Sequence, residues 1–454
     1  MNEQATGIRI VNGDCLEVLR DMPDNSVDSI VTDPPYGLSN TKPQQVADVL
    51  KAWVAGDTET VPTKRGGFMG KDWDSFVPPP AVWEECMRVL RPGGHMAVFA
   101  GARTQDLMGL SIRLAGFEIR DTLGWIYGSG FPKSMDISKA IDKAAGAERE
   151  VVGKYLRPDN GKPHGDFRSD NDRSAYQSFD MCDDTRSVTA PATSEAQRWD
   201  GWGTALKPAI EPIILARKPL VGTVVGNVLA HGVGGLNIDA SRVPTNDKLG
   251  GGHATHGQQM QDGWRRPWMD DPEAVAANAA RSRESVAKSE ELGRFPANVL
   301  LDEHAAAEMD EQSGVLRARG NVSPTAGGGG MYGHKVTTVD HGKGDTGGAS
   351  RFFPVFKYQA KAPKKERPVI EREDGTKIQH PTVKPLALLD WLVTLITPPG
   401  GTVLDPFAGT GTTLQAALNK GFSAIGVEQD PDYIQLIEIR LAADGTDEKE
   451  KSHE

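Results

Sequence analysis

Two short stretches of this chain concentrate residues that can do chemistry. The first is Asp33-Pro34-Pro35-Tyr36, at the end of a β-branched run from Val27 to Val31. A carboxylate there can accept a hydrogen bond from a proton-bearing group, the proline backbone aims unpaired carbonyls outward, and the tyrosine ring offers a stacking face. The second is D-P-F-A-G-T-G-T-T at Asp405 to Thr413, followed by a run from Phe422 to Glu428. Its glycines let the backbone approach a ligand closely, and Glu428, an acid closing the next strand, can hold ribose hydroxyls. No G-x-G-x-x-G or G-K-[ST] run accompanies it, so neither a dinucleotide fingerprint nor a triphosphate loop is supported. Taken alone, D-P-P-Y is also ordinary chemistry for a surface strand-to-loop turn, and a glycine turn by itself is a weak sign.

Periodicity gives the elements that must position these residues. Ile8 to Asp14 reads as a strand, Cys15 to Met22 as a helix and the Val27 run as a second strand, a β-α-β unit that implies a parallel sheet. The two prolines forbid helical continuation, so Asp33 falls at the strand's C-terminal edge, where open α/β sheets bind ligands. Ala81 to Leu90 and Arg103 to Ala115 read as helices, His95 to Ala100 as a strand, and Phe117 to Tyr127 as one or two strands. Asn40 to Pro80 is polar, carries R-G-G-F-M-G-K at Arg65 to Lys71, and reads as a long surface loop.

From Phe131 to about Arg351 the alternation fades. The stretch holds the polar Arg168 to Ser174, a tetraglycine at Gly327 to Gly330, and strand-like islands at Glu211 to Ala216, Gly222 to Val228 and Phe295 to Leu301. It reads as an inserted, irregular domain with mobile loops, whose Trp264, Arg265, Arg266 and Trp268 suit contact with phosphates and bases. A basic run from Lys357 to Arg367 follows. Alternation then returns: helix at Val383 to Thr397, strand at Thr402 to Asp405, helix from the glycine turn to Lys420, strand at Phe422 to Glu428, helix at Pro431 to Leu441. The expected division is residues 1–130 and 352–441 as two halves of one domain, 131–351 as the inserted domain, and 442–454 as a charged tail.

Composition sets outer limits. The 454 residues, 38% hydrophobic and 25% charged, are the mix of a soluble globular chain. No apolar run reaches the length of a membrane span and the amino terminus lacks a signal sequence, so a cytoplasmic location and no membrane partner are expected. Cys15, Cys86 and Cys182 lie far apart with no C-x-x-C pair, which argues against a disulfide framework or zinc cluster, and no metal is expected. A net charge of −11 weighs only weakly against nucleic acid, because clustered Lys and Arg, not the sum, meet phosphates.

T-D-P-P-Y-G at Thr32 to Gly37, with D-P-F-A-G-T-G at Asp405 to Gly411, resembles the S-adenosylmethionine-dependent DNA amino-methyltransferases. Having the tetrapeptide first and the glycine turn last is similar to their β group. Asn12 to Leu16 and Arg88 to Gly94 also match the family, and G-W-G-T-A-L-K-P at Gly201 to Pro208 resembles phage- and prophage-borne members. The resemblance implies an α/β fold: a Rossmann-like sheet, circularly permuted motif order, and a large irregular insertion serving as target-recognition domain. It gives Asp33, Pro34, Pro35 and Tyr36 catalytic roles. To the cofactor S-adenosylmethionine it gives Asp14, His380, Thr382, Lys384, Asp405, Pro406, Phe407, Gly409, Gly411, Thr412 and Glu428. Of these, H-P-T-V-K-P at His380 to Pro385 resembles the segment that helps hold the methionine end. Double-stranded DNA and a second copy, as a homodimer, are the implied partners.

The implied reaction suits the residues. An exocyclic adenine amine is a poor nucleophile because its lone pair is delocalised into the ring. Asp33 accepting one N–H and the Pro34 carbonyl accepting the other would turn that lone pair outward, with Tyr36 stacked on a base flipped from the duplex. Methylation at cytosine C5 needs an attacking thiolate, and no Pro-Cys pair occurs. Asp at the first position resembles adenine-N6 members, whereas cytosine-N4 members more often carry Ser there. Three alternatives stay open: the cytosine-N4 reaction, methylation of a protein glutamine by a similar N-P-P-Y site, and a silent DNA-binding regulator. Asp in place of Asn and the motif order disfavour the second, and the intact Asp33 and glycine turn disfavour the third.

Overall fold

Val27–Thr32 is buried along its whole length, as a β-branched strand in a sheet covered on both faces should be. The computed structural model that shows this describes residues 7–39, 41–62, 74–128, 130, 134–156, 185–245, 271–317, 322–325, 337–340, 346–356, 368–372, 374–380 and 382–451. Nine strands form one sheet: β1 (Ile8–Asn12), β2 (Val27–Thr32), β3 (Leu90–Phe99), β4 (Glu118–Ile126), β5 (Ile210–Arg217), β6 (Val299–Asp302), β7 (Val355–Phe356), β8 (Thr402–Asp405) and β9 (Ser423–Glu428). Their spatial order is β1-β9-β8-β2-β3-β5-β4-β6-β7. All neighbours pair parallel except β5, which runs antiparallel to both β3 and β4. Thus β8 and β9, from the carboxy-terminal flank, lie between β1 and β2, from the amino-terminal one.

Helices cover both faces. Leu19, Trp83, Val89, Met108 and Ile112 pack on one side, from helices Cys15–Arg20, Pro80–Val89 and Gln105–Leu114. On the other, helix Leu386–Ile396 buries Leu388, Leu392 and Ile396, spaced to share one helical face, beside Ala416 and Ala417 of helix Thr412–Asn419. Asp28 is the buried charge of β2, and it is satisfied: Arg91 Nη1 donates to it at 2.6 Å and the Thr402 backbone N–H at 2.8 Å.

Three sequence expectations give way. Asn40 to Pro80 is not loop throughout: Pro43–Val54 is a helix that starts on proline and buries Val49 and Trp53. Gly222 to Val228 is not a strand; Val224–His231 is a helix, because Thr223 caps its start by accepting from the Gly226 N–H and Gly232, at φ 75°, closes its end. The inserted stretch also divides differently. Residues 210–370 belong with the sheet-bearing unit, since β5, β6 and β7 are its strands, while a second unit comprises 129–209 with 371–377. Arg65 to Lys71, Arg168 to Ser174, Trp264 to Trp268, the tetraglycine and Lys357 to Arg367 lie outside the described residues.

Within the second unit, helices Ile137–Ala144 and Ser194–Arg198 accompany an antiparallel pair, Val151–Leu156 with Thr185–Thr189. Asp142 ties it together, accepting from Arg149 Nη1 at 2.7 Å and from the Ala192 and Thr193 N–H groups at 2.9 and 3.0 Å. Trp199 and Trp202 meet edge to face, 5.1 Å between ring centres. No helix of the described residues is long and apolar enough to cross a membrane.

Candidate active site

Parallel strands β1, β9, β8 and β2 end along one edge of the sheet, bringing Asn12, Glu428, Asp405 and, one residue past its strand, Asp33 to that edge. A cavity of about 920 Å³ opens there, lined by every site residue named from the sequence except Gly411.

Asp33 follows β2 because Pro34 and Pro35 supply no N–H to continue the ladder. The turn behind it is fixed from two sides: Asp74 accepts the Tyr36 and Gly37 N–H groups at 2.8 and 3.0 Å, and Thr104 Oγ1 donates to the Tyr36 carbonyl at 2.6 Å. The Tyr36 hydroxyl lies 2.7 Å from Asp33 Oδ1 and also bonds Glu211 Oε1. Lys384 Nζ sits among them, 3.0 Å from Asp33 Oδ2, 2.9 Å from the Tyr36 hydroxyl and 2.8 Å from Glu211 Oε1. Burial opposes the Lys384 charge, but the two carboxylates outweigh it and hold the ammonium above its ordinary range. Lys384, which the resemblance gives to the cofactor, therefore packs against the proposed catalytic tetrapeptide.

Two further acids are held in less polar surroundings. Burial pushes Glu428 up to about 7, although Gly409 and Asp430 N–H groups each donate to it at 2.8 Å. Asp405 is pushed up to about 6 by burial, against hydrogen bonds led by Thr32 Oγ1 at 2.7 Å. Asp14 Oδ1 caps helix Cys15–Arg20, accepting the Leu16 and Glu17 N–H groups. Gly409 holds φ 55°, and a Cβ there would stand 3.5 Å from the His380 ring, an ordinary contact, so without a side chain the backbone of the turn lines the cavity directly. Gly411 serves the fold instead: at φ 73° it begins helix Thr412–Asn419, and a Cβ would lie 2.8 Å from Ile437.

A model of the DNA methylase family, N6/N4 methyltransferase type, matches residues 27–439. The chain belongs to this N6/N4 DNA methylase family. A putative methylase of Escherichia coli K12, YubD, is 47% identical over 64 residues, 14% of this chain and 28% of that protein. Thus the match spans less than a third of that relative. Among solved structures, a putative DNA modification methylase of Thermus thermophilus is 18% identical at a TM-score of 0.35, covering 96% of this chain and 94% of that one. M1.HpyAVI in complex with SAM is 13% identical at 0.35, covering 96% and 98%. The cytosine-N4-specific PvuII methyltransferase is 13% identical at 0.37, covering 97% and 90%.

Sequence reasoning missed two residues of this methylase's site, Glu211 and Asp74. Glu211 is the second residue of β5, and only because β5 is antiparallel does its first end reach the edge where its parallel neighbours finish. A lone acid heading an apolar run was the visible signal, but its meaning depends on strand direction. Asp74 had no signal in a polar loop. Cys15 also lines the cavity, and burial together with Asp14 pushes its thiol up to about 12, so it stays protonated and is a poor nucleophile. The methylase thus has no thiolate at Cys15 for covalent attack on a base.

Proposed function

We propose that this methylase transfers a methyl group from S-adenosylmethionine to the exocyclic N6 amine of an adenine flipped out of double-stranded DNA. The observation that carries the reading is a single cavity holding both Asp33 with Tyr36 and the Gly409 turn with Glu428. The cofactor supplies an electrophilic methyl group. Residues of the cavity suit it: the open backbone at Gly409 admits a close ligand, Glu428 can accept from ribose hydroxyls, and Asp405, His380 and Thr382 stand at the same edge. Asp33 and the Pro34 carbonyl then orient the amine and Tyr36 offers its ring, so acceleration comes from positioning. Adenine is favoured over cytosine by Asp at the first position of the tetrapeptide. Recognition of the surrounding sequence is assigned to residues 129–209 and to the basic and aromatic residues beyond Thr245, and a homodimer is the proposed assembly, checked by light-scattering mass. Plasmid DNA treated with protein and methyl-labelled cofactor, then digested to nucleosides, is expected to yield N6-methyladenine by mass spectrometry. N4-methylcytosine in its place overturns the choice of base, and unlabelled DNA overturns the reaction.

Cofactor affinity should depend on pH. A ribose hydroxyl donates to the ionised form of Glu428, whose carboxyl sits at about 7. Protonation competes with that bond, so affinity is full above this pH and weakens below it, by up to about tenfold per unit. Calorimetry at about pH 6 and about pH 8 checks this, and equal affinities would remove Glu428 from the ribose site.

A further inference from the structure

The Tyr36 hydroxyl carries one proton, yet two carboxylates are within its hydrogen-bond reach, Asp33 Oδ1 at 2.7 Å and Glu211 Oε1. By donation it can satisfy only one of them. Lys384 adds donors to Asp33 Oδ2, to Glu211 Oε1 and to the hydroxyl itself, but it cannot fill the gap between Tyr36 and the second carboxylate. One extra proton completes the set: protonated Asp33 donates to the Tyr36 oxygen while Tyr36 donates to Glu211. Two carboxylates and one ammonium also leave the cluster one negative charge in excess, which that proton cancels.

We propose that Asp33, Tyr36 and Glu211 form a proton-exit relay, in which Glu211 acts through Tyr36 as a positioning residue that takes up the proton shed by the methylated amine. The relay rests on the methyl-transfer reading and deepens it. As the amine nitrogen bonds the methyl carbon, the carbon–sulfur bond breaks with its electron pair left on sulfur, and the nitrogen becomes cationic. The nitrogen gives one N–H proton to Asp33. Asp33 passes a proton from Oδ1 to the Tyr36 oxygen as Tyr36 releases its own to Glu211 Oε1. The amine ends neutral, Asp33 ends ionised and Glu211 ends protonated, with nothing oxidised or reduced. Groups facing Asp33 are Lys384, Tyr36, Glu211, Asp74 and Asp405, three of them carboxylic acids. Burial and the two carboxylates hold Tyr36 well above its ordinary range, so at rest it keeps its proton and serves as a conduit.

Glu211→Gln and Tyr36→Phe, alone and combined, test the relay, because phenylalanine keeps the stacking ring and glutamine keeps the shape. Calorimetry should give cofactor affinities within a few-fold of wild type in all three, confirming an intact site. Single-turnover methyl transfer to plasmid DNA should fall roughly 100-fold in each single variant. The loss should shrink as pH rises and solvent accepts the proton directly, and the rate should slow further in deuterated water than it does for wild type. The double variant should be no slower than the slower single one, since a chain is broken completely at either link. Losses that multiply, with a pH profile parallel to wild type, overturn the relay while leaving methyl transfer standing. A wild-type protein that labels no DNA overturns both.

Discussion

Asp33→Ala is expected to lower methyl transfer to DNA by at least about 1,000-fold while cofactor affinity stays within a few-fold. The carboxylate stands at the C-terminal end of β2 and faces Lys384 and Tyr36, whereas Glu428 and the Gly409 turn lie at the end of β9 and behind β8. Alanine removes the acceptor for the amine N–H but leaves Lys384 paired with Glu211 at 2.8 Å, so the surrounding cluster stays in place. A uniform loss of binding would cost rate and affinity together; loss of an acceptor used only in the reaction costs rate alone. Single-turnover transfer and calorimetry on the same preparation separate the two. Turnover comparable to wild type would discard Asp33 as the group that orients the amine.

The second large effect is expected at Gly409. Valine there must adopt a left-handed backbone at φ 55°, costing about 1–2 kcal/mol, and its Cβ stands 3.5 Å from His380, an ordinary contact. The protein itself can thus accommodate the side chain at modest cost, but the space it occupies is the cofactor's. Affinity should drop at least about 100-fold, with a melting temperature only about 2–4 °C lower. Gly411→Val is the contrasting case: its Cβ would press on Ile437 at 2.8 Å, so its damage falls on folding. Unchanged cofactor binding in Gly409→Val would remove the glycine turn from the site.

Much of the edge where these residues meet was legible because each marker is local. Proline after Asp33 ends a strand wherever it occurs, and a positive-φ turn needs glycine at Gly409 and Gly411 whatever surrounds them. Strands β1, β2, β8 and β9 were readable from short apolar runs, and each ends within two residues of expectation. What failed was non-local or masked by composition. Val224–His231 is rich in β-branched valines, so its pattern suggests a strand until the caps at Thr223 and Gly232 are weighed. Pro43–Val54 hides its buried Val49 and Trp53 among polar neighbours. Glu211 gains its position from a strand direction that no residue in β5 encodes, and the ion pairs of Lys384 with Asp33 and Glu211 join residues far apart in the chain, which its motif does not display.

The interleaving of β8 and β9 between β1 and β2 also governs the order in which the molecule can be built. During synthesis β1 emerges first, yet the partner it pairs with, β9, is read out some four hundred residues later, and β2 waits almost as long for β8. Contacts so distant in sequence carry a heavy loop-closure cost and form late. A chain made only as far as β7 therefore holds Asp33 and Tyr36 but neither the glycine turn nor Glu428, and two strands stand with open edges that invite wrong pairing. The edge that carries the cavity cannot assemble before β9 has been made, and the yield at high expression should be set by how long those edges stay uncovered.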